Sequence, residues 1–166
     1  MNTAIVYGTN YGTSEKVAQI LGEQINGAVE LINIENITKA NIDEIDILII
    51  GCGIKIGKMP RNLSGWINKN IDKILQKELY IYMCAKEEQK EKINELFYIN
   101  FPEELLSNSK FTTCVGGEVD FDKIGFLITL LFKLIYKNNK ENINSLNFEK
   151  IREMAEKINT LEKIKG

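Results

Sequence analysis

The sequence predicts a single α/β domain in which helices cover both faces of a five-stranded parallel sheet. Short apolar runs alternate along the chain with longer amphipathic ones, and no succession of hairpins interrupts the alternation. The length of 166 residues suits one domain with one sizeable core, and a composition 44% hydrophobic and 27% charged is that of an ordinary globular protein.

Ala4–Tyr7 reads as the first strand, and Ser14–Ile25 as a helix with Val17, Ala18, Leu21 and Ile25 at helical spacing. Val29–Ile34 alternates like a strand near a sheet edge, whereas Ile45–Ile50 is almost continuously apolar, as a central parallel strand should be. Pro60 opens a helix to about Leu75 with Leu63, Trp66, Ile67, Ile71 and Ile74 on one face. Leu79–Cys84 is the fourth strand, Glu87–Phe97 a charged segment with a narrow apolar side, and Phe111–Val115 the fifth strand. Ile124–Tyr136 reads as an apolar helix and Lys137–Asn147 as a polar linker. Phe148–Ile164 closes the chain as an amphipathic helix burying Ile151, Met154, Ala155, Ile158 and Leu161.

Charge and residue usage narrow the chemistry. Lys and Arg number 21 against 23 Asp and Glu, and the net charge of -2 argues against nucleic acid as a partner. The absence of His removes the commonest general base and the commonest zinc ligand. Cys52, Cys84 and Cys114 are odd in number and form no Cys-x-x-Cys pair, which points to a reducing, cytoplasmic setting. All three fall at strand ends, where cysteine serves as a small apolar residue, so no metal is expected. Met1–Tyr7 has no basic region and reads as a strand and not as a signal peptide, and no apolar stretch is long enough to span a bilayer.

In a parallel sheet the ligand sits beyond the carboxyl ends of the strands, which directs attention to three loops. The first, Thr9-Asn10-Tyr11-Gly12-Thr13-Ser14, joins a strand to a helix N-terminus, where backbone N–H groups, the helix dipole and the hydroxyls of Thr9, Thr13 and Ser14 suit a phosphate. The plain alternative is that Thr13 or Ser14 is an N-cap. Neither a Walker loop nor a G-x-G-x-x-G fingerprint is present. The second loop, Gly51–Pro60, has three glycines, which allow main chain to approach a flat ligand closely or serve only tight turning. The third is Cys84-Ala85-Lys86-Glu87.

These loops resemble those of the flavodoxin superfamily, and within it the branch of the menaquinone-dependent protoporphyrinogen dehydrogenases. Thr9–Ser14 is similar to the loop that wraps the phosphate of FMN, and Gly51–Gly57 to that branch's isoalloxazine loop. Gly116-Gly117-Glu118-Val119-Asp120-Phe121, followed by the apolar segment to Tyr136, resembles a feature of the branch that ordinary flavodoxins lack. The resemblance implies a flavodoxin-like three-layer sandwich with strand order 2-1-3-4-5 and one FMN at the switch point between the first and third strands. Its phosphate would lie on Thr9, Asn10, Tyr11, Gly12, Thr13 and Ser14, and its ring between Gly53, Ile54, Lys55, Ile56 and Gly57 and the loop of Cys84, Ala85, Lys86 and Glu87.

The chain departs from the branch at Gly53, where a serine is common, and at Ile56, where an aromatic residue is common; Met83–Glu87 also lacks the stacking tyrosine of electron-carrying flavodoxins. Three functions follow from the resemblance. One is an FMN oxidoreductase passing electrons from an organic substrate to a quinone, with the flavin carrying the chemistry and no catalytic side chain. The others are an electron carrier between proteins and a noncatalytic module with weak flavin binding. Ile124–Tyr136, apolar nearly all round, would either be covered by the final helix or offer a surface to a peripheral membrane or a second subunit.

Overall fold

The computed structural model describes residues 1–39, 41–118 and 144–165. Five strands form one parallel sheet: β1 (Thr3–Gly8), β2 (Val29–Asn33), β3 (Ile47–Gly53), β4 (Glu78–Cys84) and β5 (Phe111–Cys114), in the order β2-β1-β3-β4-β5. This is the order expected from sequence. The continuously apolar strands, β1, β3 and β4, occupy the centre, where both faces are covered, and β2, with Glu30 and Leu31 exposed, lies at an edge.

Because side chains alternate along a strand, each central strand contributes to two cores. On one face Val6, Leu48, Ile50, Ile81 and Met83 pack with Leu63, Ile67 and Ile74 of α2 (Arg61–Ile74), Phe97 of α3 (Lys90–Asn100) and Leu105 of α4 (Glu103–Asn108). On the other, Ile5, Ile47, Ile49 and Tyr82 pack with Val17, Ala18 and Leu21 of α1 (Thr13–Gln24) and with Ile151, Met154, Ala155 and Ile158 of α5 (Phe148–Lys165). The chain leaves β1 through α1 toward β2 and leaves β3 through α2 toward β4. A crevice therefore opens between the carboxyl ends of β1 and β3.

Several details differ from the sequence reading, the short helix α4 among them. The polar linker Lys137–Asn147 ends in a strand, β7 (Asn144–Leu146), paired antiparallel with β6 (Gly116–Glu118). Backbone pairing makes this ribbon, so its side chains show no alternation; Asn147 N–H donates to the Val115 carbonyl at 2.9 Å and anchors it beside β5. β3 also extends through Gly53, so Gly51 and Cys52 belong to the strand and not to the loop. The expected helix Ile124–Tyr136 lies outside the described residues. Among the described residues no helix is long and apolar enough to cross a membrane.

Candidate flavin site

The loop after β1 places Gly12 at φ 87° as the N-cap of α1, a left-handed conformation that favours glycine. Thr9 Oγ1 accepts the Gly12 N–H at 2.8 Å, which folds the loop back on itself. No side chain caps α1 at Gly12, so the capping alternative for Thr13 and Ser14 gives way: both lie inside the helix, at the end where the dipole favours an anion. Ser14 faces the core. It is fully buried, its Oγ donates to Tyr82 Oη at 3.3 Å, and Tyr82 Oη donates to the Ser14 carbonyl at 2.7 Å. Any contact of Ser14 with a ligand is therefore left to its backbone.

Tyr82 also explains a glycine. A Cβ on Gly51 would stand 2.0 Å from Tyr82 Cζ, so Gly51 gives room to a fully buried ring crossing from β4 beneath β3 toward α1. Gly53 is different: a Cβ there meets nothing within 4 Å, leaving an open approach to the main chain at the mouth of the crevice.

Beyond Gly53 the chain makes a tight two-residue turn. Lys55 and Lys58 exchange backbone hydrogen bonds, N–H to carbonyl, at 2.9 and 3.1 Å around Ile56 (φ 49°) and Gly57 (φ 72°). The loop is tied at its base, where Ile54 N–H donates to the Cys84 carbonyl at 2.9 Å. It also meets the first loop: Asn10 Nδ2 donates to the Gly53 carbonyl at 3.5 Å, and Lys55 Nζ stands 5.1 Å from the centre of the Tyr11 ring. Ile56 is 93% exposed, so the branched side chain at the strained position packs against nothing.

The loop after β4 contributes mainly backbone. Cys84 and Ala85 are buried, with the Cys84 thiol in the core on the α1 side. Glu87 Oε1 accepts N–H bonds from Glu88 and Gln89, each at 3.0 Å, and these hold its carboxyl below the usual range, the Gln89 bond most of all. Burial lowers the Lys86 ammonium pKa; the absence of a side chain at Gly117 makes room for the Lys86 stem, since a Cβ there would stand 2.9 Å from its Cγ.

The three thiols do not form one cluster. Cys52 and Cys114 flank Met83 in a cross-strand row on the α2 face, two strands or about 10 Å apart, while Cys84 points to the other face. Burial is the main cause that pushes the Cys52 and Cys84 thiols well above their ordinary range. Among the described residues no group of three or more His, Cys, Asp or Glu is placed to hold a metal ion.

Thr9–Thr13 and Gly53–Gly57 are thus brought together, with Cys84 behind them. The residues present fit FMN: an uncapped helix start with a glycine turn for a phosphate, and an open main-chain edge at Gly53 for a ring. Sequence reasoning missed Tyr82 and, on α3, Asn100, whose side chain bonds to Gly57 and Met59. A phenol in the middle of an apolar strand, opposite a glycine, is a readable signal for Tyr82; Asn100 at a helix end carries none.

A family model described as Flavodoxin domain matches residues 4–164. Among solved structures, the rubredoxin oxygen:oxidoreductase of Desulfovibrio gigas aligns with TM-score 0.60 and 12% identity over 99% of this chain and 36% of its own, so this chain spans about a third of that protein. A flavodoxin from the domain Archaea aligns over 100% of both chains (TM-score 0.52, 11% identity), and flavodoxin 1 of Bacillus cereus over 82% of this chain and 97% of its own (TM-score 0.53, 12% identity). No curated protein matches. These likenesses bear on the fold; the family model, which takes in nearly the whole sequence, places this chain in the flavodoxin domain family.

Proposed function

We propose that the chain holds one FMN at the carboxyl edge of its sheet and works as an oxidoreductase resembling the protoporphyrinogen dehydrogenases, passing electrons from an organic substrate to a quinone. The observation that carries FMN binding is the meeting of the two glycine loops, with Asn10 bonded to the Gly53 carbonyl and the Gly53 edge open. When bound, FMN supplies the electron transfer itself. The chain binds and orients: α1 directs its N-terminal dipole at the phosphate, and the Gly53–Gly57 backbone faces the ring edge. The enzyme reading rests on the resemblance of Gly116–Phe121 and the apolar segment that follows it in the sequence.

A carrier of electrons between proteins is the second reading, favoured by Ile56, whose exposed apolar side chain at the tip of the loop suits a protein contact. Reconstitution with FMN tests the cofactor. Failure to retain FMN at micromolar concentration, or an affinity unchanged in Gly12→Asp/Thr13→Glu, refutes it. Anaerobic mixing of the loaded protein with protoporphyrinogen, a menaquinone analogue and a ferredoxin then separates the readings: the enzyme turns over with the first two, and a carrier exchanges electrons only with the protein.

A further inference from the structure

Asn100, the last residue of α3, is 9% exposed, and its carboxamide makes three hydrogen bonds. Nδ2 donates to the Leu96 carbonyl at 2.8 Å, fixing the side chain to its own helix. Oδ1 accepts the Met59 N–H at 2.7 Å, and Nδ2 also donates to the Gly57 carbonyl at 3.0 Å. These partners fix which way the amide points, since the flipped amide would set donor against donor and acceptor against acceptor.

Gly57 and Met59 flank Lys58, so Asn100 grips the returning arm of the Lys55–Lys58 turn from both sides. That turn needs an external hold. Ile56 stands at φ 49°, where a branched Cβ is disfavoured, and its 93% exposed side chain gains nothing from packing. Such a conformation persists only when its surroundings over-determine it. Two cross-turn bonds hold the turn from within; on the returning arm the Met59 side chain is buried in the core, and Asn100 hydrogen-bonds the main chain on either side of Lys58. Released, Ile56 can return to negative φ, and the peptide groups from Lys55 to Lys58 reorient with it.

We propose that Asn100 is a positioning residue that holds the strained Lys55–Lys58 turn in the geometry that receives the flavin ring. This rests on the FMN reading above.

The test uses the full chain with Asn100→Ala and Asn100→Asp. Asn100→Asp keeps the acceptor for Met59, loses the Nδ2 donor to Gly57 and Leu96, and turns a carboxylate oxygen toward both carbonyls. Ile158→Val, in the core on the α1 and α5 face, is a control for lowered stability without a change at the turn. In the apoprotein, Asn100→Ala should speed hydrogen exchange at the Met59 amide. Its FMN Kd should rise about tenfold, and Asn100→Asp should lose at least as much, because acceptor then faces acceptor at Gly57 and Leu96. The flavin midpoint potential should move by about 30 mV, the equivalent of a tenfold unequal loss of affinity between the oxidised and two-electron-reduced forms. Ile158→Val should match wild type in both.

The decisive arm is Ile56→Gly, because glycine takes positive φ without strain. In that background Asn100→Ala should cost less than about threefold in Kd. A Kd and midpoint unchanged by Asn100→Ala, or an equal loss in the Ile56→Gly background, overturns the inference while leaving FMN binding intact. Wild-type protein that binds no FMN overturns both. If Asn100→Ala does not fold, Asn100→Asp carries the same comparisons.

Discussion

Gly51 and Gly53 lie two residues apart on β3 and are expected to respond to alanine in opposite ways. A methyl at Gly51 would stand 2.0, 2.2 and 2.4 Å from Tyr82 Cζ, Oη and Cε1, where ordinary contact begins at 3.4 Å. The ring would have to move more than an ångström. It is fully buried and fastened by its 2.7 Å bond to the Ser14 carbonyl, so it cannot swing aside without losing that bond. Overpacking of about 1–3 kcal/mol and a lost hydrogen bond of about 1 kcal/mol give Gly51→Ala a destabilisation of about 3 kcal/mol. For a domain of this size that is a fall in Tm of about 6–12 °C. At Gly53 a methyl meets nothing within 4 Å and the backbone is not in the positive-φ region, so Gly53→Ala should keep or slightly raise stability, by up to about 1 kcal/mol. The same methyl would stand on the edge proposed to receive the flavin ring, and the FMN Kd should then rise by about tenfold or more. Urea denaturation of the apoproteins and fluorescence titration with FMN measure the two effects separately. Gly51→Ala as stable as wild type, or Gly53→Ala with wild-type affinity, would refute the assignment of one glycine to the core and the other to the ligand.

Tyr82→Phe removes the hydroxyl that accepts from the buried Ser14 Oγ and should cost about 1–2 kcal/mol, whereas Tyr82→Phe/Ser14→Ala, with both hydroxyls gone, should cost less than the sum of the single changes in urea denaturation. Ser14→Ala alone should leave the FMN Kd within about twofold, because the hydroxyl faces the core and the backbone N–H is kept. Cys52 and Cys84 keep their protons when folded, since burial raises both, and ionise when unfolded above about pH 8.5. The unfolded chain then binds fewer protons, so stability present below that pH is lost as pH rises, by up to about 1.4 kcal/mol per pH unit for each thiol; Cys52→Ala/Cys84→Ala should flatten the fall of urea stability between about pH 9 and 10.

The sheet was legible because burial on both faces leaves a strong mark: β1, β3 and β4 are continuous apolar runs, and each is followed by an amphipathic helix or by glycine. The β6–β7 ribbon was not, because Gly116–Glu118 and Asn144–Leu146 are joined by main-chain bonds and need no particular side chains. α4 escaped for a related reason: six residues after Pro102, with Leu105 alone deeply buried, are too few to show a period. At the site, the sequence pointed to loops that meet at the carboxyl edge of the sheet, but assigned some residues by type and not by direction. Hydroxyls at a helix start suggested a phosphate, yet Ser14 turns inward to Tyr82; a third glycine suggested a ligand, yet Gly51 yields to the same ring. Direction depends on partners far along the chain, and local patterns do not hold that information.

The two residues that sequence reasoning passed over do the same physical work. Glycine-rich loops that let a ligand approach the main chain lose much conformational entropy when ordered, so something must hold them. At α1 the hold is Tyr82 Oη on the Ser14 carbonyl, 68 residues away in sequence; at the Lys55–Lys58 turn it is Asn100 on Gly57 and Met59, 43 and 41 residues away. Each is a buried polar group with its hydrogen bonds made, placed by a strand or helix whose other side chains form the core. Such bonds exist only once the sheet and helices have assembled, so loop geometry is a product of the whole fold. That is why the loops can dispense with side chains of their own: the loop after β1 has no lysine or arginine between Gly8 and Ser14, and the turn carries its strain at an isoleucine 93% exposed. The binding edge is left to main-chain groups, and the core decides where they point.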